Sequence, residues 1–166
     1  MNSLEAISRE VVETALRKGV TLATAESLTA GMISATLAEV PGASGTLLGG
    51  VVSYDARIKQ ELLSVAQSVI DGDGVISEPC ARQMALGAKE LLKADIAVSA
   101  TGLAGPGGGT REIPVGTVFL GVCTGDGETQ VFQKHFSGNR QAVRRKTTLA
   151  ALEMIFKALE ILPDRE

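Results

Sequence analysis

The sequence predicts a three-layer α/β/α sandwich built around a mixed β-sheet. Amphipathic helical segments alternate with short apolar runs through roughly the first hundred residues, as they do in sheets whose strands are joined by helices. The apolar runs are largely uncharged and rich in β-branched residues, which is typical of strands covered on both faces. A hairpin signal, Thr124-Gly125-Asp126-Gly127-Glu128, then indicates an antiparallel pair in the same sheet.

The amino-terminal part supplies a helix, a strand, a second helix and a second strand. Apolar residues recur at three- and four-residue spacing over Ser3–Lys18, which predicts an amphipathic helix ended by the next glycine. A buried strand is predicted over residues 20–25, a helix over 30–40 that a Pro-Gly pair stops, and a Gly- and Val-rich strand over 46–54. Residues 26–29 therefore join a strand to a helix.

The middle of the chain predicts two helices and a third buried strand. Residues 56–65 have a helical pattern, and Ser77-Glu78-Pro79 combines a capping serine, an acidic residue and an early proline. We expect a helix from there to about Lys93. A strand over residues 95–100 then leads into residues 101–110, whose five glycines and one proline exclude regular structure.

The carboxy-terminal part supplies the hairpin and a closing helix. Strands over 115–123 and 129–136 flank the hairpin signal, and apolar residues at helical spacing predict a helix over 139–161. The chain has 166 residues, of which 45% are hydrophobic and 21% charged. That length and balance suit one core, so residues 1–166 are expected to form a single soluble domain.

Charge and cysteine content exclude several classes of function. A net charge of −3 provides no basic field for direct binding to nucleic acid. Cys80 and Cys123 lie 43 residues apart and only one histidine is present, which is too few ligands for a zinc cluster or a disulfide framework. The first twenty residues contain no signal-peptide core and no membrane span. We therefore expect a cytoplasmic protein without membrane association.

Three segments follow buried strands and should meet at one edge of the sheet, where open α/β sheets bind their ligands. They are residues 26–31, 54–59 and 101–110. The first places Ser27 at a strand-to-helix turn, beside small residues that let a ligand approach backbone N–H groups, which suits a nucleophile. A serine at this position is also the residue type that caps a helix.

A nucleophilic serine needs a base, and two side chains are candidates. His135 is the only imidazole, but it alternates with apolar residues in a manner typical of a solvated strand face, so a Ser-His-Asp triad is disfavoured. Lys59 could serve if burial lowered its pKa from about 10.4 toward 7, with Tyr54 relaying a proton or orienting the amine. The alternative for Lys59 is an ordinary exposed helix residue.

Two further segments could hold an anion. The backbone amides of the glycine-rich segment 101–110 could form an anion nest, or the segment could be a flexible surface loop. Arg140, Arg144 and Arg145 cluster at the start of the last helix, where an arginine could contact a phosphate with two hydrogen bonds. The alternative for the cluster is a solvated charged face.

Five motifs in a fixed order make the sequence more specific. They are Ala25-Glu26-Ser27-Leu28-Thr29-Ala30-Gly31, Gly49-Gly50-Val51-Val52-Ser53-Tyr54, Gly74-Val75-Ile76-Ser77-Glu78-Pro79, Thr101-Gly102-Leu103-Ala104-Gly105-Pro106-Gly107-Gly108-Gly109 and Pro114-Val115-Gly116-Thr117-Val118. Together they resemble the CinA carboxy-terminal domain family, from about Thr21 to Leu159. Many members of that family carry Cys-Thr-Gly-Gly where this chain has Leu28-Thr29-Ala30-Gly31. They also carry an asparagine shortly after the tyrosine, which is replaced here.

The resemblance implies a nicotinamide-nucleotide amidase. Such enzymes convert nicotinamide mononucleotide to nicotinate mononucleotide and ammonia in pyridine-nucleotide salvage, and no metal or organic cofactor is implied. Carried over motif by motif, the resemblance assigns Ser27 as nucleophile, with Lys59 and Tyr54 as its catalytic partners. The residues expected to bind the substrate are Glu26, Thr29, Gly31, Thr101, Gly102, Gly105, Gly107, Gly108, Arg140 and Arg144.

Alternatives from other classes stay open. One is a nucleotide-binding or regulatory module that keeps the pocket without turnover. Another is a DNA-associated competence factor, which the acidic charge balance opposes. Full-length relatives also carry an amino-terminal domain that resembles molybdopterin-binding proteins, so this chain is expected to be the stand-alone form. A homo-oligomer, with a dimer favoured, is expected of a small apolar-rich domain of this type.

Overall fold

A computed structural model of the protein describes residues 2–165. Its elements, in chain order, are α1 (Ser3–Lys18), β1 (Leu22–Glu26), α2 (Met32–Ala38), a 3-10 turn (Ala43–Gly45), β2 (Leu47–Val52), α3 (Ala56–Leu63), α4 (Gln67–Asp71), α5 (Glu78–Leu92), β3 (Ile96–Gly102), β4 (Thr117–Thr124), β5 (Glu128–His135) and α6 (Arg140–Ile161). The five strands form one sheet in the order β2-β1-β3-β4-β5. β1 runs parallel to β2 and β3, whereas β4 and β5 are antiparallel additions, so the sheet is mixed.

Helices cover both faces of this sheet. One apolar core joins α1, α2 and α6 to one face of β1, β3 and β4, through residues such as Val12, Leu37 and Leu152. A second core joins α3, α4 and α5 to the other face, through Leu63, Val69 and Met84. The predicted three-layer α/β/α sandwich is therefore confirmed.

Most predicted elements are confirmed, with differences at their ends. β1 extends to Glu26, one residue beyond the prediction, because the backbone of Glu26 pairs with both neighbouring strands. Its carboxylate can be buried there since it finds hydrogen-bond donors at the start of α2. α2 begins at Met32 and not at residue 30, since residues 28–31 form a turn. The short helix α4 was not predicted, because five residues carry too little periodicity to reveal it.

Capping side chains fix where the last two long helices begin. Ser77 accepts a hydrogen bond from the backbone N–H of Cys80, as its sequence predicts, and Asn139 accepts one from the N–H of Ala142. Caps of this kind contribute about 1 kcal/mol each. The second cap sets Arg140 as the first residue of α6, at the end of the helix nearest the loop after β3.

Gly87 brings two helices into unusually close contact. A Cβ atom at position 87 would lie 2.0 Å from the carbonyl oxygen of Leu63, which no side chain can accommodate without moving the backbone. α5 therefore packs directly on the end of α3, and this contact helps to set the position of α3 over the sheet.

The structure of residues 2–165 shows the state of the two cysteines and whether any helix could span a membrane. Cys80 and Cys123 are both free and buried, as expected of small hydrophobic residues. No helix within residues 2–165 is long and apolar enough to cross a membrane.

Candidate functional site

A cleft of about 180 Å³ lies beyond the carboxyl ends of β1, β2 and β3. Of the residues predicted to act there, the structure brings together Ser27, Tyr54, Lys59, Thr101, Gly102 and Arg140. The cleft also has walls that sequence reasoning did not assign, namely Leu28, Val75, Ile76, Leu103 and Ala104. Val75 and Ile76 belong to the motif Gly74-Val75-Ile76-Ser77-Glu78-Pro79. The sequence therefore contained a signal for these residues, but it did not indicate that they line a cleft.

Ser27 occupies the first position after β1. The backbone N–H of Ser27 donates to the carbonyl of Ala100 at 2.9 Å, which adds one hydrogen bond to the ladder between β1 and β3. Ser27 is only 9% exposed. Its hydroxyl does not cap α2. Gly31 is the capping residue of that helix, and the carboxylate of Glu26 accepts the N–H groups of the first turn, so the helix-cap alternative for Ser27 is wrong.

Lys59 lies in the first turn of α3 and points inward, with only 1% of its surface exposed. Its Nζ donates to the hydroxyl of Ser27 at 2.9 Å. The same Nζ also donates to the carbonyl oxygens of Ser53 at 2.6 Å and Tyr54 at 3.3 Å. The alternative of an exposed helix lysine is therefore wrong, and the amine is held against the serine by main-chain groups.

Burial lowers the pKa of Lys59 below its ordinary value, since the ammonium form loses its hydration. Cys80 and Asp55 oppose this shift by their negative charge when ionised. Burial also raises the pKa of the Cys80 thiol to about 11, so at neutral pH this thiol is uncharged and gives the ammonium little support. Burial therefore shifts the protonation equilibrium of Lys59 toward the neutral amine relative to that of an exposed lysine.

The three contacts of Lys59 can be made in two protonation states: an ammonium donates to all three oxygens, whereas a neutral amine donates to two of them and accepts from the third. A neutral amine has two N–H donors and one lone pair, whereas an ammonium has three donors and no acceptor. The two carbonyl oxygens can take the two N–H groups, which leaves the lone pair directed at the hydroxyl of Ser27. In that protonation state the hydroxyl donates and the amine accepts, which is the arrangement of a nucleophile with its general base.

Tyr54 differs from its predicted role as a proton relay. The residue is 57% exposed, and its hydroxyl accepts a hydrogen bond from Nη2 of Arg140 at 2.8 Å. Only its main-chain carbonyl contacts the amine of Lys59. Nη1 of Arg140 donates to the carbonyl of Gly105 at 2.9 Å, so Tyr54 and Gly105 together hold the guanidinium at the rim of the cleft.

Glu26 was predicted to bind the substrate, but it does not line the cleft. It is 1% exposed, and its carboxylate accepts hydrogen bonds from the backbone N–H of Ile33 at 2.8 Å and of Ser34 at 3.1 Å, and from the hydroxyl of Thr24. A negative charge at the amino terminus of a helix is favourable, which explains how a carboxylate can be buried there. Glu26 thus supports the turn that carries Ser27.

Three other predicted binding residues also have structural roles in this turn. Arg144 donates to the carbonyls of Leu28 at 2.8 Å and Thr29 at 3.2 Å, which fixes the turn from the side of α6. Thr29 is fully buried, and Gly31 has a positive φ of 97° that a side chain would rarely tolerate. These residues shape the turn, and they do not line the cleft.

The glycine-rich segment contributes only in part. Gly102 lines the cleft beside Thr101, whose hydroxyl donates to the carbonyl of Val75 and so ties the two walls together. Gly107 and Gly108 are exposed and lie outside the cleft lining. The structure therefore places an exposed loop there, with its first residues alone at the site.

Unused polar groups lie in the segments around the serine–lysine pair. Within residues 2–165, the backbone N–H groups of Leu28 and Thr29 donate to no protein acceptor. In the same range, the hydroxyls of Thr29 and Ser53 are buried without a hydrogen-bond partner. Unsatisfied polar groups are costly in a folded protein, and they are common where a ligand is to be bound.

Fold and site together define a class: a mixed-sheet α/β/α domain with a buried serine–lysine pair in a cleft at the carboxyl edge of its parallel strands. The chain belongs to the CinA C-terminal domain family, whose model matches residues 4–159.

Individual relatives agree with this assignment. A CinA-like protein of Mycobacterium marinum is 47% identical over 138 residues, which are 83% of this chain and 32% of the relative. The chain spans about a third of the length of the curated relatives it matches. The competence/damage inducible protein CihA from Agrobacterium tumefaciens is 34% identical, with a TM-score of 0.93 over 96% of this chain and 97% of that one. The competence damage-inducible protein A (ComA) of Klebsiella pneumoniae is 30% identical, with a TM-score of 0.93 over 98% of this chain and 100% of that one.

Proposed function

We propose that the protein is a nicotinamide-nucleotide amidase, which hydrolyses nicotinamide mononucleotide to nicotinate mononucleotide and ammonia. One observation carries the proposal: the buried contact of 2.9 Å between Nζ of Lys59 and Oγ of Ser27 in the cleft. A lysine with a lowered pKa beside a serine hydroxyl is suited to acyl transfer without a histidine. The resemblance of the motifs supplies the substrate class.

The first half of the reaction forms an acyl-enzyme. Neutral Lys59 removes the proton from the hydroxyl of Ser27 while Oγ attacks the carboxamide carbon, which gives a tetrahedral intermediate. The resulting ammonium then donates that proton to the carboxamide nitrogen. The C–N bond breaks, ammonia leaves, and the nicotinoyl group remains on Ser27 as an ester.

The second half returns the free enzyme. Lys59, again neutral, takes a proton from a water molecule that attacks the ester carbonyl. The ester bond to Oγ breaks, the proton returns to Ser27, and nicotinate mononucleotide leaves. Each half uses the same amine first as a base and then as an acid, and a group does both best when its pKa lies near the operating pH.

A backbone N–H group after the nucleophile suits the negative charge that develops on the carboxamide oxygen. The N–H of Leu28, which follows Ser27 directly and lines the cleft, has no acceptor within residues 2–165. Preorganised donors of this kind are worth about 10²- to 10³-fold in rate each. The hydrogen bonds from Arg144 to the carbonyls of the same turn keep this donor in place.

The cleft walls suit a pyridine nucleotide. Val75 and Ile76 provide an apolar surface for the ring, and Arg140 at the rim provides a guanidinium for the ribose phosphate. A volume of about 180 Å³ accommodates a ring-sized group only, so the ribose and phosphate extend out of the cleft toward Arg140.

An ammonia-release assay tests the proposal directly. The purified protein is incubated with nicotinamide mononucleotide, nicotinamide riboside or the dinucleotide, and ammonia and the carboxylate product are measured. We expect release from the mononucleotide that Ser27→Ala abolishes and that Ser68→Ala, at an exposed position on α4, leaves unchanged. Nucleotide binding without product, or release that survives Ser27→Ala, would contradict the proposal and favour a non-catalytic binding module.

A further inference from the structure

β5 forms one edge of the sheet, and it is an unusual edge. Its eight residues pair with β4 in unbroken register from Glu128 to His135, and no further strand follows it in the described part of the chain. Proteins commonly protect edge strands with prolines, bulges or short length. The opposite edge, β2, shows such irregularity, since its register with β1 shifts near Leu22. β5 has no proline and no shift of register with β4, so its outer side is a regular backbone template, and its charged residues restrict which strand can pair with it.

The pairing of β5 with β4 defines which backbone groups are free. The N–H of Phe136 donates to the carbonyl of Gly116, so these residues form a hydrogen-bonded pair just beyond the strands. Because such pairs alternate in antiparallel ladders, the even-numbered residues of β5 direct their N–H and C=O groups to β4. The odd-numbered residues, centred on Val131, direct theirs to the free edge. Thr129 agrees with this, since its carbonyl is reached by Arg82 from outside the ladder.

The even-numbered side chains of β5 lie on the α6 side, along a groove of about 360 Å³. Glu128 stands at one end of this row and Lys134 at the other, with Gln130 and Phe132 between them. Phe132 is 43% exposed and lines the same groove as Ala150 and Met154 of α6. The row thus carries opposite charges at its ends and an apolar group near its centre.

We infer that β5 pairs antiparallel with β5 of a second copy of this chain, about a two-fold axis at Val131, to give a continuous ten-stranded sheet. In this register Glu128 lies directly opposite Lys134 of the second copy, and the reverse pair forms on the other side of the axis. Gln130 lies opposite Phe132. Opposite-charge pairs across neighbouring strands are favourable, and a two-fold axis forms each of them twice.

Neighbouring registers lose this complementarity. A two-fold axis at Phe132 would place Glu128 opposite Phe136 and Lys134 opposite Gln130, with no ion pair. An axis at Gln130 would place Lys134 opposite the hairpin loop, beyond the end of the strand. The register centred on Val131 is the one that matches both charges and that directs the outward backbone groups of Val131 and Gln133 at the second copy. The outward carbonyl of Thr129 also faces the second copy, and the half-exposed side chain of Arg82 that contacts it must share it or move aside.

Single cysteines test the register. Hydrogen-bonded partners in an antiparallel pair have Cα atoms about 5.5 Å apart, which is within the range of a disulfide. Val131→Cys places a thiol beside its own symmetry mate, whereas Gln133→Cys, on the same face, lies about 13 Å from its mate because the strands are offset by four residues. The native cysteines are buried and give little background.

We expect a covalent dimer of Val131→Cys on a non-reducing gel after mild oxidation and a monomer of Gln133→Cys. Equal or greater cross-linking of Gln133→Cys would overturn the proposed register. Failure of both variants to cross-link, together with a monomeric mass for the unmodified protein by light scattering, would overturn the interface itself.

A charge exchange tests the contacts. Glu128 and Lys134 are exposed, so Glu128→Lys and Lys134→Glu should fold normally. In a dimer of either variant, positions 128 and 134 carry like charges, and they face each other once on each side of the two-fold axis. We expect the dimer dissociation constant of each variant to rise at least about tenfold. Mixed in equal amounts, the two variants form a heterodimer in which both pairs are complementary again, so dimerisation should recover. Unchanged dimerisation of the single variants would overturn the inference.

Discussion

The parallel and antiparallel halves of the sheet differ in where they place their polar groups. In the parallel half, β1 is buried along its whole length, and Glu26, Ser27 and Lys59 are buried where its strands end. In the antiparallel half, most residues of β5 are exposed, and its charged side chains meet solvent. Burying a polar group costs about 1–3 kcal/mol unless it is hydrogen-bonded. Within residues 2–165 the two acidic or basic side chains that are no more than 1% exposed, Glu26 and Lys59, both lie in the parallel half and are both hydrogen-bonded. This half is the one that we propose contains the chemistry.

The largest effect is expected at Lys59. Lys59→Met keeps the length of the side chain but removes the base, so kcat/KM for nicotinamide mononucleotide should fall on the order of 10³- to 10⁴-fold. Because Ser27 and Lys59 act as one unit, the double variant with Ser27→Ala should lose no more than the worse single variant. Steady-state ammonia release measures all three, and multiplying losses would show that the two residues act separately.

The next effect is on stability. Glu26→Ala leaves the buried N–H groups of Ile33 and Ser34 without an acceptor, so the free energy of unfolding should fall by about 2–4 kcal/mol. Urea denaturation measures it. Glu61→Ala, at an exposed position on α3, should change it by less than about 0.5 kcal/mol. Equal effects of the two substitutions would contradict the structural role of Glu26.

Arg140 should affect substrate binding more than turnover. Arg140→Lys cannot contact both Tyr54 and Gly105 and cannot bind a phosphate with two parallel hydrogen bonds, so KM should rise about tenfold with kcat nearly unchanged. Arg145→Lys, at an exposed position on the same helix, is the matched control. A fall in kcat with unchanged KM would place Arg140 in the chemical step.

Stability should depend on pH through Lys59. Below its lowered pKa in the folded protein, folding must bury an ammonium, whereas the unfolded chain keeps its ammonium in water up to pH 10.5. As pH rises between these two values the unfolded state holds more protons, so the folded state gains stability. The unfolding free energy of the unmodified protein should therefore increase relative to that of Lys59→Met as the pH rises toward 10.5. A constant difference in urea denaturation would show that the pKa of Lys59 is not lowered.

The smallest effect is expected in the antiparallel half. His135 lies at the end of β5, is exposed, and does not line the cleft. His135→Asn should therefore leave kcat/KM within about twofold of the unmodified protein across the whole pH range. A tenfold loss of kcat/KM in the ammonia assay would show that the antiparallel half also takes part in the chemistry, and it would favour His135 as the base.

Sequence patterns predicted the architecture because each rests on local chemistry. Hydrophobic periodicity, the Ser77 cap and the hairpin signal between β4 and β5 are all local, and all are confirmed. Topology then brings the ends of β1, β2 and β3 to one edge, which is why Ser27 and Lys59 could be expected to meet.

Glu26 and Tyr54 show where such prediction fails. A glutamate beside a candidate nucleophile resembles a binding residue, and nothing local reveals that its carboxylate turns back to the start of α2. Tyr54 and Arg140 are separated by 86 residues, so their contact depends on the assembled fold. Partners that are distant in sequence decide the role of each polar side chain.

The close packing at Gly87 has a consequence for inherited variation in this chain. α3 carries Lys59, and the end of α3 packs on α5 at Gly87. A side chain at position 87 would therefore displace α3 and move the amine of Lys59 away from Ser27, although no residue of the cleft is changed. In a random screen for inactive clones, Gly87 substitutions should therefore be recovered as null or heat-sensitive alleles. Their second-site suppressors should fall along the seam between α3 and α5.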